Sequence, residues 1–302
     1  MSREGSVQHT ERLIGLLAAA SELRPELHRY CARLMGSVID GEDIVQDTLV
    51  RAFVGLEDLE ETPPLRPWLF KIAHNRALDV LRGRAVRKVE PIEAALDVAD
   101  TESPDPVETL MRQEAVKTAV SRFAELPIPQ RSVVILKDVL GESLAEIGSL
   151  LDLSIDAVKG HLARGRARLR DINGRAASLA EMPPVSPQVT RYVTLFNQQN
   201  WDALRALLAD DVRLVQSAHP QRLGKTDVGK FFTVYAGHDG LRLAPAWLEG
   251  KEVIAVFDGR DGRKPSYVMW LEWQDGRISF IRDYRYVRYA IADAELVLAS
   301  SS

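Results

Sequence analysis

The chain has 302 residues, enough for two or three domains, and its 46% hydrophobic and 27% charged residues are those of a folded globular protein. A net charge of −4 excludes a globally basic nucleic-acid binder, so any DNA-binding surface has to be local. A single cysteine, Cys31, excludes an internal disulfide and reads as a small core residue among Leu27, Tyr30 and Leu34.

The N-terminal segment MSREGSVQHTERLIGLL lacks the basic, then apolar, then small-residue order of a secretion signal. No apolar run reaches bilayer length, so the expectation is a cytoplasmic protein without a membrane partner. Residues 8–88 read as helices. In Glu42–Leu56, EDIVQDTLVRAFVGL, the spacing turns Ile44, Val45, Thr48, Leu49 and Phe53 inward and leaves Asp43, Gln46, Asp47 and Arg51 around the rest. Pro63, Pro64 and Pro67 predict a loop across GLEDLEETPPLRP. The next segment, WLFKIAHNRALDVLRGR, predicts a helix that buries Trp68, Leu69, Ile72, Leu78 and Leu81 and keeps Lys71, Arg76, Arg82 and Arg84 outside. Composition then shifts. Residues 89–115 carry Glu90, Glu93, Asp97, Asp100, Glu102, Asp105, Glu108 and Glu114 against Arg112, with Pro91, Pro104 and Pro106, and read as an acidic linker.

Helices resume near Pro106 and run to about Leu179. Within them, SLAEIGSLLDLSIDAVKGHLARGRARLR places Leu144, Ile147, Leu150 and Leu151 on one helical stripe. Ser154 is an N-cap for a second helix, and Asp156 sits in its first turn, where the dipole favours a carboxylate. That helix keeps Val158, Leu162 and Leu169 for the core and turns Lys159, Arg164, Arg166, Arg168 and Arg170 elsewhere. Two helices of this kind form a helix-turn-helix, whose second member can enter a DNA major groove. The plainer alternative is a solvated basic helix packed on its neighbour.

A second boundary lies at EMPPVSP, residues 181–187. Two helices, Gln188–Asn197 and Trp201–Ala209, precede strand-like runs at Val212–Gln216, Leu241–Leu248, Glu252–Phe257, Ser266–Trp273 and Arg277–Val287. Helices followed by a meandering antiparallel sheet predict an α+β domain. Its candidate polar groups are Asp211, His219, His238, Asp258, Asp283 and Tyr284. Strand alternation allows Asp283, or Tyr284 and Tyr286, to point inside, but not both sets. Trp247, Trp270 and Trp273 read as packing residues. No catalytic residue is assigned, nor any cofactor or metal.

Taken together, EDIVQDTLVRAF, RPWLFKIAHNRALDVLRGR and LPIPQRSVVILKDVLGESLAEIGSLLDLSIDAVKGHLARGRARLR resemble the bacterial RNA polymerase sigma factors of the extracytoplasmic-function group. The first two blocks resemble sigma region 2 and the third resembles region 4. The segment YVTLFNQQNWDALRALLADDVRLV and the strands after it resemble the SnoaL-like cone fold. The resemblance implies a multidomain protein: region 2 at 8–88, the acidic linker at 89–115, a region 4 helix-turn-helix at 116–180, a SnoaL-like α+β domain at 187–290 and a tail at 291–302. It further implies two partners, core RNA polymerase (through the β′ clamp and the β flap) and promoter DNA. A small-molecule ligand in the C-terminal cone is a third candidate partner.

Residue by residue, the resemblance places Asp43, Gln46 and Asp47 at the core-polymerase interface. It places Lys71, Asn75, Arg76, Arg82 and Arg84 at the −10 element, and Ser154, Lys159, His161, Arg164 and Arg166 at the −35 element. Near the start of the recognition helix, where the family often carries Thr, Ser and Arg, this chain has Ala157, Gly160 and His161. The expected function is promoter recognition and melting without chemistry of the protein's own, with the SnoaL-like domain regulating it in cis. The alternatives are a ligand-responsive helix-turn-helix regulator that never meets polymerase, and a SnoaL-like isomerase or hydrolase fused to a DNA-binding module. The region 2 resemblance argues against the first of these, because such a regulator has no use for EDIVQDTLVRAF and the WLFKIAHNRALDVLRGR helix.

Overall fold

A computed structural model describes residues 3–56, 58–59, 61–87, 115, 118–175, 183–217, 219–238, 240–259 and 264–299. Apart from Ala115, the acidic stretch 89–115 lies outside these residues. The chain divides into two compact units, residues 1–178 and 179–302.

The first unit is helical. Helix α1 spans Arg3–Met35, α2 Val38–Gly55 and α3 Leu65–Arg87. Ser37 caps α2 through a bond from the Asp40 amide to its Oγ, 3.3 Å. Gly41 lets α2 approach α1 closely, since a Cβ there would lie 2.5 Å from the Ala32 backbone. The sequence predicts a loop through Pro67, whereas α3 already starts at Leu65. The reason is positional: Pro67 occupies the first turn, where its missing N–H has no helical partner to lose. Leu27, Tyr30, Cys31, Leu34, Ile44, Val45, Leu69, Phe70, Ala73 and Ala77 form the core of these three helices. Cys31 is fully buried, which pushes its thiol pKa upward.

After a short 3-10 turn at Val120–Glu125, α4 spans Ile128–Val134 and runs on as a wide turn of helix over Ile135–Leu140. Helix α5 spans Leu144–Leu151 and α6 Ile155–Gly174. Ser143 and Glu146 form a reciprocal capping box at the start of α5, with bonds of 3.2 and 2.8 Å. Asp152, in the left-handed region at φ 57°, ends α5, and Ser154 caps α6 two residues later. Helix α6 packs so tightly on α4 that a Cβ at Gly165 would lie 2.6 Å from Val134 Cγ2.

The second unit is α+β, as the sequence predicts. Helix α7 spans Pro187–Asn197, α8 Trp201–Ala206 and α9 Lys225–Ala236. The strands are β1 Leu208–Gln216, β2 Arg222–Leu223, β3 Arg242–Leu248, β4 Lys251–Phe257, β5 Tyr267–Gln274, β6 Arg277–Asp283 and β7 Leu296–Leu298. They form one sheet in the order β2-β1-β6-β5-β4-β3-β7. The sheet is mixed: β1 runs parallel to β6, and every other pairing is antiparallel. Helix α9 is absent from the sequence reading, although Val228, Phe231, Phe232 and Tyr235 recur at helical spacing and are all buried. The tail expected after residue 290 carries β7, which pairs with β3.

Candidate nucleic-acid interface

The first turn of α6 is set by its cap: the Ala157 amide donates to Ser154 Oγ at 3.2 Å. Ser154 is therefore committed to the helix end. Val158, Leu162, Leu169 and Ile172 face the core, and the polar residues between them make the outer surface. Lys159, His161 and Arg164 lie half-exposed on that surface, with Arg168 and Arg170 exposed beyond them. His161 is pushed below its ordinary pKa, first by burial and then by the Arg164 charge, so the ring is neutral at pH 7. Arg166 differs from the other candidates on this helix. Its Nε and Nη2 reach the two oxygens of buried Asp138 at 2.9 and 2.6 Å, a bidentate pair that fixes α6 against the turn of helix before α5.

The candidates of α3 are largely engaged by carboxylates. Arg76 Nε donates to Asp47 at 2.7 Å, and Arg84 Nη1 to Asp40 at 2.8 Å. Arg82 lies 3.6 Å from Asp79, and Asn75 is exposed. Lys71 donates to the Leu150 carbonyl at 2.9 Å and is paired with Asp152, at the end of α5. The α2–α3 block and the helix-turn-helix thus meet.

Other contacts close the same boundary. Arg131, nearly buried, donates to the carbonyls of Leu34 (2.7 Å), Ala124 (2.6 Å) and Leu126 (2.8 Å). Burial lowers its pKa to about 10, still far above neutral pH. Arg66 reaches Glu142 at 2.5 Å. One continuous core runs from Leu16 to Ile172.

On α2, Asp43 is exposed and Gln46 and Asp47 are half-buried. The sequence reading turns Phe53 inward, but Phe53 is 43% exposed, beside Val50 at 64% and Val54 at 58%. The inward stripe of α2 ends at Ala52 and the chain turns at Leu56, which leaves the face of Val50, Phe53 and Val54 uncovered among the described residues. Val50, Phe53 and Val54 form an apolar face continuing the stripe of Asp43, Gln46 and Asp47, and of these three periodicity assigns Phe53 to the core.

In the second unit Asp283 is fully buried, while Asp211, His219, His238 and Asp258 are exposed. Tyr284 is buried as well. Strand β6 ends at Asp283 and the chain turns there, so strict alternation no longer applies. Gln216 Nε2 and the Tyr235 hydroxyl donate to Asp283 Oδ2 at 2.6 and 3.1 Å, and the Arg285 amide donates to Oδ1 at 3.0 Å. Tyr267 lies 2.9 Å from Tyr235 Oη, and Tyr192 Oη is buried without a partner among the described residues. Burial raises the carboxyl to a pKa of about 6, against the opposing pull of these donors. Gln216, Tyr192, Tyr235 and Tyr267 escaped the sequence reading because they come from two helices and two strands far apart in the chain.

Comparison with known proteins completes the picture. The Sigma-70 region 2 profile matches residues 20–87, the Sigma-70 region 4 profile residues 116–169, and the SnoaL-like domain profile residues 189–281. RNA polymerase sigma factor CnrH of Cupriavidus metallidurans is 34% identical over 137 residues, 43% of this chain and 71% of CnrH. ECF RNA polymerase sigma factor SigM of Mycobacterium tuberculosis is 32% identical over 149 residues, 49% of this chain and 72% of SigM. The chain belongs to the extracytoplasmic-function sigma-factor family. SigG of M. tuberculosis, an ECF sigma factor, is 32% identical over 219 residues, 64% of this chain. The match spans 59% of SigG, somewhat over half of that relative's length. Helices α1–α3 are accordingly region 2, and α4–α6 region 4. No helix among the described residues is long and apolar enough to cross a membrane.

Proposed function

We propose that this sigma factor binds core RNA polymerase and directs it to promoters, with region 2 engaging the −10 element and region 4 the −35 duplex. The observation that carries the reading is the uncovered face of α2. Its acids and amide are followed by Val50, Phe53 and Val54 in helical register, a surface that a helix-turn-helix regulator working alone does not need. Core polymerase is the partner assigned to Asp43, Gln46, Asp47 and this apolar extension, through the β′ clamp, with the β flap as a further contact. Lys71, Asn75, Arg76, Arg82 and Arg84 are assigned to the −10 strand, where cations and flat polar groups hold unpaired bases. Lys159, His161 and Arg164 are assigned to the −35 duplex, with Arg166 and Ser154 positioning the helix that carries them. The site of action is the cytoplasm, where polymerase works.

Because Asp152 and the Leu150 carbonyl occupy Lys71, region 4 covers part of the −10 surface. The packed helical unit is therefore the resting form, and promoter engagement parts the two regions. The SnoaL-like unit is assigned a regulatory role in cis, without catalysis; its buried carboxylate, Asp283, is held by Gln216, Tyr235 and the Arg285 amide.

The test is run-off transcription from a promoter library with purified core polymerase. Promoter-specific transcripts that depend on the added chain are expected, and a chain that never copurifies with core overturns the reading. Removing residues from about 184 onward is expected to change that transcription, and an unchanged level removes the regulatory role.

A further inference from the structure

We propose that Gly160 sets the −35 sequence preference by leaving open the space in which the Arg164 guanidinium lies. The proposal rests on the assignment of α6 as the helix that reads duplex DNA. Side chains of an α-helix lean toward its N-terminus, so residue 164 covers the surface above residue 160. A Cβ at position 160 would stand 3.4 Å from Arg164 Nη1, 3.5 Å from Nη2 and 3.8 Å from Cζ. The guanidinium therefore lies against the space that a side chain at position 160 would fill.

Hydrogen bonding does not hold it there. Arg164 Nε is buried without a partner among the described residues, as is Nδ1 of the neighbouring His161. Shape keeps the guanidinium in place, and position 160 supplies the shape. Arginine reads guanine through the paired terminal nitrogens of its fork, so the place of the fork along the helix decides which base pair it meets. Successive base pairs are about 3.4 Å apart, comparable to the width of one side-chain carbon group. A side chain longer than methyl at position 160 claims the same volume and moves the fork to a different height.

The effect is graded. Alanine brings its methyl only to ordinary contact distance and leaves Arg164 where it is, whereas glutamine, a good helix former, displaces it. The competing view is that Gly160 merely weakens the helix by about 1 kcal/mol relative to alanine. In that case both substitutions stabilise α6 and neither alters sequence preference.

The experiment is transcription by core polymerase with the full chain from templates randomised across the −35 segment, comparing wild type, Gly160→Ala, Gly160→Gln and Arg164→Ala. Wild type and Gly160→Ala are expected to select the same sequence. Arg164→Ala is expected to lose about tenfold discrimination at one base position, and Gly160→Gln to lose it at that same position while keeping the others. Thermal melts of the variants at or above wild type confirm that α6 is intact. The proposal is overturned if Gly160→Gln keeps the wild-type preference, or if Arg164→Ala changes no position. It is equally overturned if Gly160→Gln weakens all sequences alike, because the side chain then blocks the approach of DNA. A wild-type holoenzyme that transcribes yet ignores the −35 sequence removes the assignment of α6 itself, an outcome distinct from those three.

Discussion

The two units bury charge in opposite ways. In the helical unit, Glu42 meets Arg24 at 2.5 Å, Asp138 meets Arg166 through two bonds, and the Arg131 guanidinium is surrounded by carbonyl oxygens. In the SnoaL-like unit, the buried carboxylate of Asp283 meets an amide side chain, a phenol and a backbone N–H. A paired buried charge is close to neutral in its net contribution and expensive to break. A buried carboxylate bonded by neutral donors, with the Arg285 charge acting on it only as the weakest of the opposing effects, carries a desolvation cost that is not fully offset, visible in its pKa of about 6. The first pattern fixes helices at defined angles. The second stores instability at one point of the cone, the pattern of a site rather than a strut.

The largest expected effect falls on the paired side. Asp138→Ala leaves the Arg166 guanidinium, itself 15% exposed, beside an apolar gap. A loss of about 3–5 kcal/mol in the stability of the helical unit is expected. Urea unfolding followed at Trp68, the tryptophan of that unit, measures it. A loss below about 1 kcal/mol, the level of a surface pair, erases the contrast between the units.

On the other side the sign reverses. Burial raises the Asp283 carboxyl from its ordinary pKa of 3.8 to about 6, so the folded state holds its proton more tightly than the unfolded state. Stability is therefore present at low pH and is lost as pH rises between about 4 and 6. Going from pH 7 to pH 5 is expected to stabilise the SnoaL-like unit by about 1 kcal/mol. Asp283→Asn keeps an acceptor for Gln216 and Tyr235, removes the charge and is expected to flatten that dependence. Unfolding followed at Trp201, Trp247, Trp270 and Trp273 reports on this unit. A variant with the wild-type pH slope assigns the dependence to another group and sinks the idea.

The same contrast explains what could be read from the chain alone. Pairing within a helix or between neighbouring helices leaves a local trace: the cap at Ser154 and the stripe of Val158, Leu162 and Leu169 stand in the sequence and in the fold. Asp138 and Arg166 leave no such trace, because they are 28 positions apart and meet through a turn of helix that periodicity does not register. The Asp283 cluster is less legible still, drawing Gln216 from β1, Tyr235 from α9 and Tyr267 from β5. Phe53 departs from its sequence expectation for the opposite reason. Its spacing fits the buried stripe of α2, but no element covers it among the described residues, and only packing partners decide which side of a stripe is core.

The smallest effect separates stability from function at Lys71. Its partner Asp152 is 81% exposed, so the pair belongs with the surface ion pairs and not with Asp138–Arg166. Asp152→Asn preserves a residue type that tolerates the left-handed backbone at φ 57°. Stability is expected to change by less than about 1 kcal/mol. The Leu150 carbonyl still accepts from Lys71, but the ammonium is released from its counter-charge. Binding of the free chain to a −10 single strand is expected to tighten, with a salt dependence steeper by up to about 0.7 in log–log slope for one added phosphate contact. Unchanged affinity and slope mean that Asp152 does not compete with DNA for Lys71, and the packed helical unit then has no bearing on access to the −10 element. A tighter, more salt-sensitive variant of wild-type stability shows that a pair too weak to hold the fold is strong enough to regulate it.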